Sequence, residues 1–174
     1  MTLTNLVPLL TSRMDFSYNQ FMVFSADLDM AELAMDWTQE HVDQGFARRK
    51  SIVSFSTITQ YGQADLNVYL ARFEDTASYQ RVIAVPFYSP IARVVICGPE
   101  EVGSEHFLTV ETGYYRLIEA QKLLQPHEYT GDLGHIAVDL YFELVEKPLE
   151  TSQIIVCDSM LSPPRDLLEY AELY

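Results

Sequence analysis

The sequence predicts a mainly β protein: an antiparallel β-sandwich of about eight strands with one short α-helix and a C-terminal tail at helical spacing. Three observations carry that reading. Alternating runs rich in aromatic and β-branched residues recur at roughly ten-residue spacing. Gly, Pro, Asn and Asp punctuate the gaps between them. Only one stretch in the body, Met35 to Ala47, combines helical spacing with start and stop signals. With 174 residues, 48% of them apolar, the chain can bury a sizeable core as one domain, 1–174.

Residues 1–14 read as a lead-in that packs a few leucines on a body spanning 15–146. Asp15 to Phe24 reads as one strand, with Phe16, Tyr18, Gln20, Met22 and Phe24 on one face. Ser25 to Ala34 is an acidic connection. In the helix, Asp36 is placed to accept from the first-turn N–H groups and Gln39 stands where a capping box wants it. Val42 and Phe46, four apart, share a face, and Gly45 tolerates a left-handed stop. The run Arg48-Arg49-Lys50 then suits the negative end of the helix dipole. Ser51–Ile58 and Ala64–Phe73 read as a hairpin about Gln60-Tyr61-Gly62-Gln63. Tyr79–Phe87 is the next strand, and Pro86, lacking a ladder donor, points to a sheet edge or a strand terminus. Ile91–Cys97, His106–Glu111, Tyr114–Leu124, Ile136–Val145 and a short Ile154–Cys157 complete the strands; Ala120–Leu124 reads equally well as helix. In the acidic extension 147–174, Leu167, Leu168 and Leu173 follow Pro163-Pro164 at helical spacing, with Asp166, Glu169 and Glu172 between them.

Charge narrows the function classes. The chain holds 25 acidic against 11 basic residues, a net −14; residues 1–90 carry 10 against 6 and residues 91–174 carry 15 against 5. Such a surface repels phosphate backbones, which argues against direct nucleic-acid binding, and attracts basic protein surfaces such as those of nucleases. Cys97 and Cys157 have no CxxC spacing and read as reduced, packed thiols. The apolar start lacks a basic n-region and is broken by Pro8, and no run approaches membrane-spanning length, so no membrane span and a cytoplasmic location are expected.

Catalytic signals are missing. His41, His106, His127 and His135 show no metal-ligand spacing, and there is no GxSxG, Walker or GxGxxG pattern. Asp27-Leu28-Asp29 has no further ligands nearby to make a calcium loop. The expectation is a non-enzymatic protein without metal or cofactor.

Several stretches, in order, resemble the competence protein J (ComJ) family. They are Ser17-Tyr18-Asn19-Gln20-Phe21 with Val23-Phe24, Met35-Asp36-Trp37-Thr38, Gly45-Phe46-Ala47, Ser54-Phe55 and Val85-Pro86-Phe87, with a weaker match at Gly113-Tyr114-Tyr115-Arg116-Leu117. The first two and the Gly45 stretch are the specific part. The resemblance implies a small acidic protein that binds and silences a DNA-degrading nuclease and so protects the cell's own DNA. This chain departs from the family pattern in its lead-in, in a longer region around 89–105, and after Lys147. It leaves open whether the nuclease belongs to DNA uptake or to a toxin against which the chain confers immunity.

Aromatics beside charges anchor interfaces, so the partner-binding candidates are Asp36, Trp37, Glu40 and Asp43 on the helix. Glu100, Glu101 and Glu105 form a second acidic group, and Asp166, Glu169 and Glu172 in the tail a third. Each has a plain structural reading: Trp37 as core, Asp36 as cap, the charge runs as solvated faces. The competing reading is a β-sandwich module for a small ligand or carbohydrate, with Tyr61, Tyr88 and Tyr129 lining an aromatic cleft.

Overall fold

The computed structural model describes residues 6–99, 106–125, 128 and 135–174. These residues form two sheets packed face to face. The strands are β1 (Leu10–Phe16), β2 (Gln20–Ser25), β3 (Phe46–Arg49), β4 (Ile52–Ser56), β5 (Gly62–Tyr69), β6 (Arg81–Ser89), β7 (Arg93–Cys97), β8 (His106–Thr109), β9 (Gly113–Leu123), β10 (His135–Val145) and β11 (Gln153–Val156). Two short helices, α1 (Met30–Leu33) and α2 (Gln39–Gln44), lie between β2 and β3. One sheet runs β1-β5-β10-β9-β6-β11 and the other β3-β4-β2-β7-β8. The mainly β, two-sheet architecture matches the expectation, with more strands than foreseen and one parallel pair, β5 with β10, inside the larger sheet.

Alternation decides what enters the core. Phe21 and Val23 of β2, Val53 and Phe55 of β4, and Val94 and Ile96 of β7 face Leu66 and Val68, Ile83 and Val85, Leu117, Val138 and Leu140 of the other sheet. Burying such side chains contributes roughly 1.5–3 kcal/mol each. On the outer face of the smaller sheet, Phe24, Ile52, Val95 and Cys97 are covered by Leu28, Leu33 and Met35 from the α1 region. A third cluster, Phe73, Val82, Ala84, Ile118 and Ala120 with Tyr79 and Tyr141, lies apart from these two.

Several local expectations are corrected. The run from Asp15 to Phe24 is two strands in different sheets, split by a tight turn in which Tyr18 (φ 55) and Asn19 (φ 57) are both left-handed. Unbroken alternation through Ser17-Tyr18-Asn19 hid that turn, because Tyr is not a residue that advertises positive φ. The lead-in is partly strand, since β1 starts at Leu10, and Leu6 and Leu9 stay exposed. The acidic connection contains α1, capped by Asp29 in a reciprocal pair with Glu32. β4 and β5 are not a hairpin: β4 pairs with β2 and β3, β5 with β1 and β10. Residues 120–123 are strand, not helix. Beyond β11 the tail has no helix: Leu161 donates to Asp158 within the tail, but the N–H groups of Ser162, Ala171 and Tyr174 go to Asp43, Arg48 and Ala34 elsewhere in the fold. Pro86 fits its expected place: β11 pairs only with Val82, Ile83 and Ala84, so β6 has no outer strand where Pro86 sits.

Cys97 is buried and Cys157 is exposed, so only one of the two is packed. No helix among the described residues is long and apolar enough to cross a membrane. Gly98 closes the two sheets at one corner. A Cβ there would stand 2.2 Å from the backbone O of Asp15, where no flexible side chain can give way. Gly98→Ala is therefore expected to cost about 2–4 kcal/mol, read as a shift in the urea unfolding midpoint.

Candidate functional site: the grooves around Trp37

The stretch from Met30 to Gln44 builds the site. After α1 the chain runs extended from Ala34 to Trp37, and Thr38, not Asp36, caps α2. The Thr38 backbone N–H donates to His41 Nδ1 at 3.1 Å. Nδ1 therefore acts as acceptor, which leaves the Nε2–H to donate to the Tyr170 carbonyl at 3.2 Å. Gly45 ends α2 at φ 86, donating to the His41 carbonyl at 3.0 Å. Val42 and Phe46 do not share a face: Val42 is exposed, while Phe46 is a wholly buried residue of β3. The helix packs instead through His41 and Gln44. It is too short for the helical spacing to run on to Phe46.

The C-terminal tail is a strap laid over this region. Ser162 N–H donates to Asp43 O (2.9 Å), Ala171 N–H to Arg48 O (2.9 Å) and Tyr174 N–H to Ala34 O (2.8 Å). Gln44 clasps Leu168 at both ends of its amide, donating to the carbonyl at 3.0 Å and accepting from the N–H at 2.8 Å. Glu169 accepts from Arg48 and from both the N–H and hydroxyl of Ser152. The guanidinium of Arg49 lies 4.6 Å from the Tyr170 ring centre. The basic run is thus not a helix terminus. Arg48 and Arg49 belong to β3 and hold the strap, and Lys50 stands over the Tyr88 ring.

The strap merges two of the three acidic groups. The Asp36 N–H donates to Glu172 O at 2.8 Å, so the tail residue is set beside the residue that precedes Trp37. Asp36, Glu40 and Glu172 are exposed, with Asp43 half-buried and taking a hydrogen bond from Gln39. Asp166 is exposed, whereas Glu169 is committed to Arg48 and Ser152. Glu100, Glu101 and Glu105 lie outside the described residues, as do His127 and Tyr129.

Trp37 is half-buried and forms a wall shared by two grooves. The larger, about 740 Å³, runs under α1 across the outer face of the smaller sheet and is floored by Met22, Phe24 and Val95. The smaller, about 480 Å³, is lined by Tyr18, Met35, Asp36, Met160 and Tyr174 among others. Tyr18 is 73% exposed on its left-handed turn, a conformation that costs roughly 1 kcal/mol for a residue with a Cβ. Sequence reasoning singled out Trp37 but missed Tyr18, Met35, Met160 and Tyr174. The one available signal was that the Ser17–Phe21 and Met35–Thr38 stretches are the specific ones; the fold brings both to this groove.

Beneath the smaller groove runs a polar seam inside the core. Arg81, 1% exposed, donates through Nε and Nη2 to the Asp158 carboxylate and through Nη1 to the backbone O (2.8 Å) and hydroxyl (2.9 Å) of Ser56. Burial works against the Asp158 charge, but the bonds from Arg81 and from the Met160 N–H outweigh it and hold the carboxyl below its ordinary range. Gln121 ties the sheets together, accepting from Ile58 N–H and donating to Ser56 O. Glu119 beside it is wholly buried, with no hydrogen bond of good geometry to either carboxyl oxygen. Desolvation pushes it up to about 8, only partly offset by the Arg81 charge. No three metal-ligating side chains come together among the described residues. Asp27 accepts from Ser25, and Asp29 caps α1. Tyr88 packs on Tyr114 and lines a cleft of about 210 Å³, but Tyr61 is not part of it.

Residues 13–145 match the sequence model of a family described as Competence protein J (ComJ). A curated relative, the DNA-entry nuclease inhibitor of Bacillus subtilis (strain 168), is 32% identical over 75 residues, which cover 43% of this chain. That match spans about half, 54%, of the relative's own length. Among solved structures, a crystal structure described as ComJ, inhibitor of the DNA degrading activity of NucA, from Bacillus subtilis, superposes with a TM-score of 0.60. It covers 79% of this chain and 98% of its own at 21% identity, and so establishes the shared fold.

Proposed function

The chain belongs to the competence protein J family, and from that premise we propose that it is a non-enzymatic inhibitor that docks on a DNA-degrading nuclease and silences it. The observation that carries this reading is the convergence of Tyr18 and Trp37, from the two specific sequence stretches, on one groove with Asp36 beside them. The described relatives inhibit a nuclease or its DNA-degrading activity. The net charge of −14 gives the electrostatics a direction, because a nuclease must present a basic surface to its own substrate. Carboxylates of the inhibitor offered to that surface compete with phosphate and speed encounter. Partner contacts are assigned to Asp36, Trp37, Glu40, Asp43 and Glu172, with Asp166 at the margin. Glu169 is assigned to holding the strap. The benefit to the cell is protection of its own DNA, from a DNA-uptake nuclease or from a nuclease toxin.

The test is capture of nucleases from the source cell on the immobilised chain, elution with rising salt, and cleavage assays with each purified nuclease. The expected result is a basic nuclease bound in stoichiometric amount, whose cleavage of DNA stops on adding the chain. Recovery of no nuclease, together with no protection of DNA against the nucleases of the same genome, would overturn the reading.

A further inference from the structure

We infer that the C-terminal strap is a working half of the docking surface, and that the smaller groove it closes at Trp37 takes a lysine or arginine side chain of the nuclease. The inference rests on the nuclease-inhibitor reading above. Residues 158–174 lie beyond the span that matches the family, 13–145. They are nevertheless an integral part of the folded body, with Leu161 and Ala171 buried and the backbone bonded to Ala34 and Asp36 after α1, to α2 and to β3. The strap brings Met160 and Tyr174 to the groove and sets Glu172 beside Asp36.

Three features of the groove select a cation. Tyr18, Trp37 and Tyr174 line it, and an indole is the best aromatic partner for a cation. Asp36 lines the groove and is exposed, and Glu172, also exposed, is held next to it by the bond from the Asp36 N–H to its backbone carbonyl, so both carry negative charge to this end of the strap. Met35 and Met160 offer apolar wall to the aliphatic stem that a lysine or arginine carries behind its charge. Arg81 also borders the groove but does not oppose a second cation. It is 1% exposed, and its charge is spent on Asp158. The strap already holds a cation in this manner, with Arg49 stacked over Tyr170. Because the strap lies outside the family span, it is the element by which this chain would discriminate its own nuclease from those of relatives.

The experiment uses the full-length chain and the nuclease purified by the capture above. Glu172→Gln, Tyr174→Ala and the double variant alter exposed side chains at the end of the strap, leaving Leu161 and Ala171 in place. Each single variant is expected to weaken the Kd about five- to tenfold, and the double variant about thirtyfold or more. Trp37 is the only tryptophan, so its emission reports on the groove directly and is expected to change at saturating nuclease. A double variant that binds within about twofold of the wild type, where a tenfold loss corresponds to 1.4 kcal/mol, overturns the inference. So does Trp37 emission that ignores the bound nuclease. A wild-type chain that inhibits no nuclease overturns the functional reading as well; equal inhibition by wild type and double variant overturns this inference alone.

Discussion

Trp37→Ala is expected to weaken inhibition of the nuclease by roughly thirty- to several-hundredfold, the range that follows from a loss of about 2–4 kcal/mol at a central aromatic anchor. Trp37 lines both grooves, together with Gln20 and Met35, so truncating its indole removes a wall against which a partner side chain would pack. Stability should change far less, by about 1 kcal/mol, because Trp37 is only half-buried and lies outside the core between the sheets. The two effects are separated by measuring DNA cleavage against inhibitor concentration and thermal melting on the same protein. Reversing Asp36 and Glu40 to lysine acts on a different quantity. The association rate is expected to fall about ten- to a hundredfold at low salt, and the difference should shrink as salt is raised. Loss of inhibition with an unchanged salt dependence would argue against electrostatic docking at this face.

Arg81→Met should destabilise the chain by about 2–4 kcal/mol, because it leaves the part-buried Asp158 carboxylate without its cation and removes the bonds from Arg81 to Ser56. Asp158 opens the strap, so the same variant should also raise protease cleavage between β11 and the end of the chain. Glu119 adds a pH dependence of defined sign. Its carboxyl is raised from an ordinary 4.5 to about 8 in the folded chain. Between those values the native state holds a proton that the unfolded state has released, so stability falls as pH rises and the loss is complete above about 8. The depressed Asp158 carboxyl works the other way: it stabilises above its ordinary 3.8, and that gain is lost in more acidic solution. Stability should therefore peak at mildly acidic pH. Glu119→Gln keeps the neutral shape and removes the titration. It should match the wild type near pH 5 and exceed it near pH 9 by a few kcal/mol, as read from urea unfolding at the two values. Parallel curves for the two proteins would show that Glu119 is not held neutral.

Most strands could be read from the order of residues because sheet alternation is a local property. Phe21 and Val23, or Leu66 and Val68, announce a buried face whatever they pack against. Two of the strand errors share one cause. Periodicity states that a segment is extended but not which sheet it joins, so β4 and β5 look like a hairpin and β1 runs into β2. The tail failed for a related reason. Leu167, Leu168 and Leu173 have helical spacing, yet the N–H groups of Leu168, Ala171 and Tyr174 find better-placed acceptors on Gln44, Arg48 and Ala34. A segment of this length gains little from forming an isolated helix, and tertiary bonds prevail.

By itself the sequence determined that the protein is β-rich and strongly acidic, and that its single tryptophan, Trp37, stands among carboxylates. Composition and short-range order suffice for those properties, since charge is additive and alternation spans only neighbouring residues. Only the tertiary structure decided that Tyr18, Trp37 and Tyr174 line one groove and that Glu172 comes to rest beside Asp36. Those residues come from three distant parts of the chain. Their meeting depends on a turn between sheets and on a strap held by Gln44, Arg48 and His41, which are long-range contacts that no local pattern encodes.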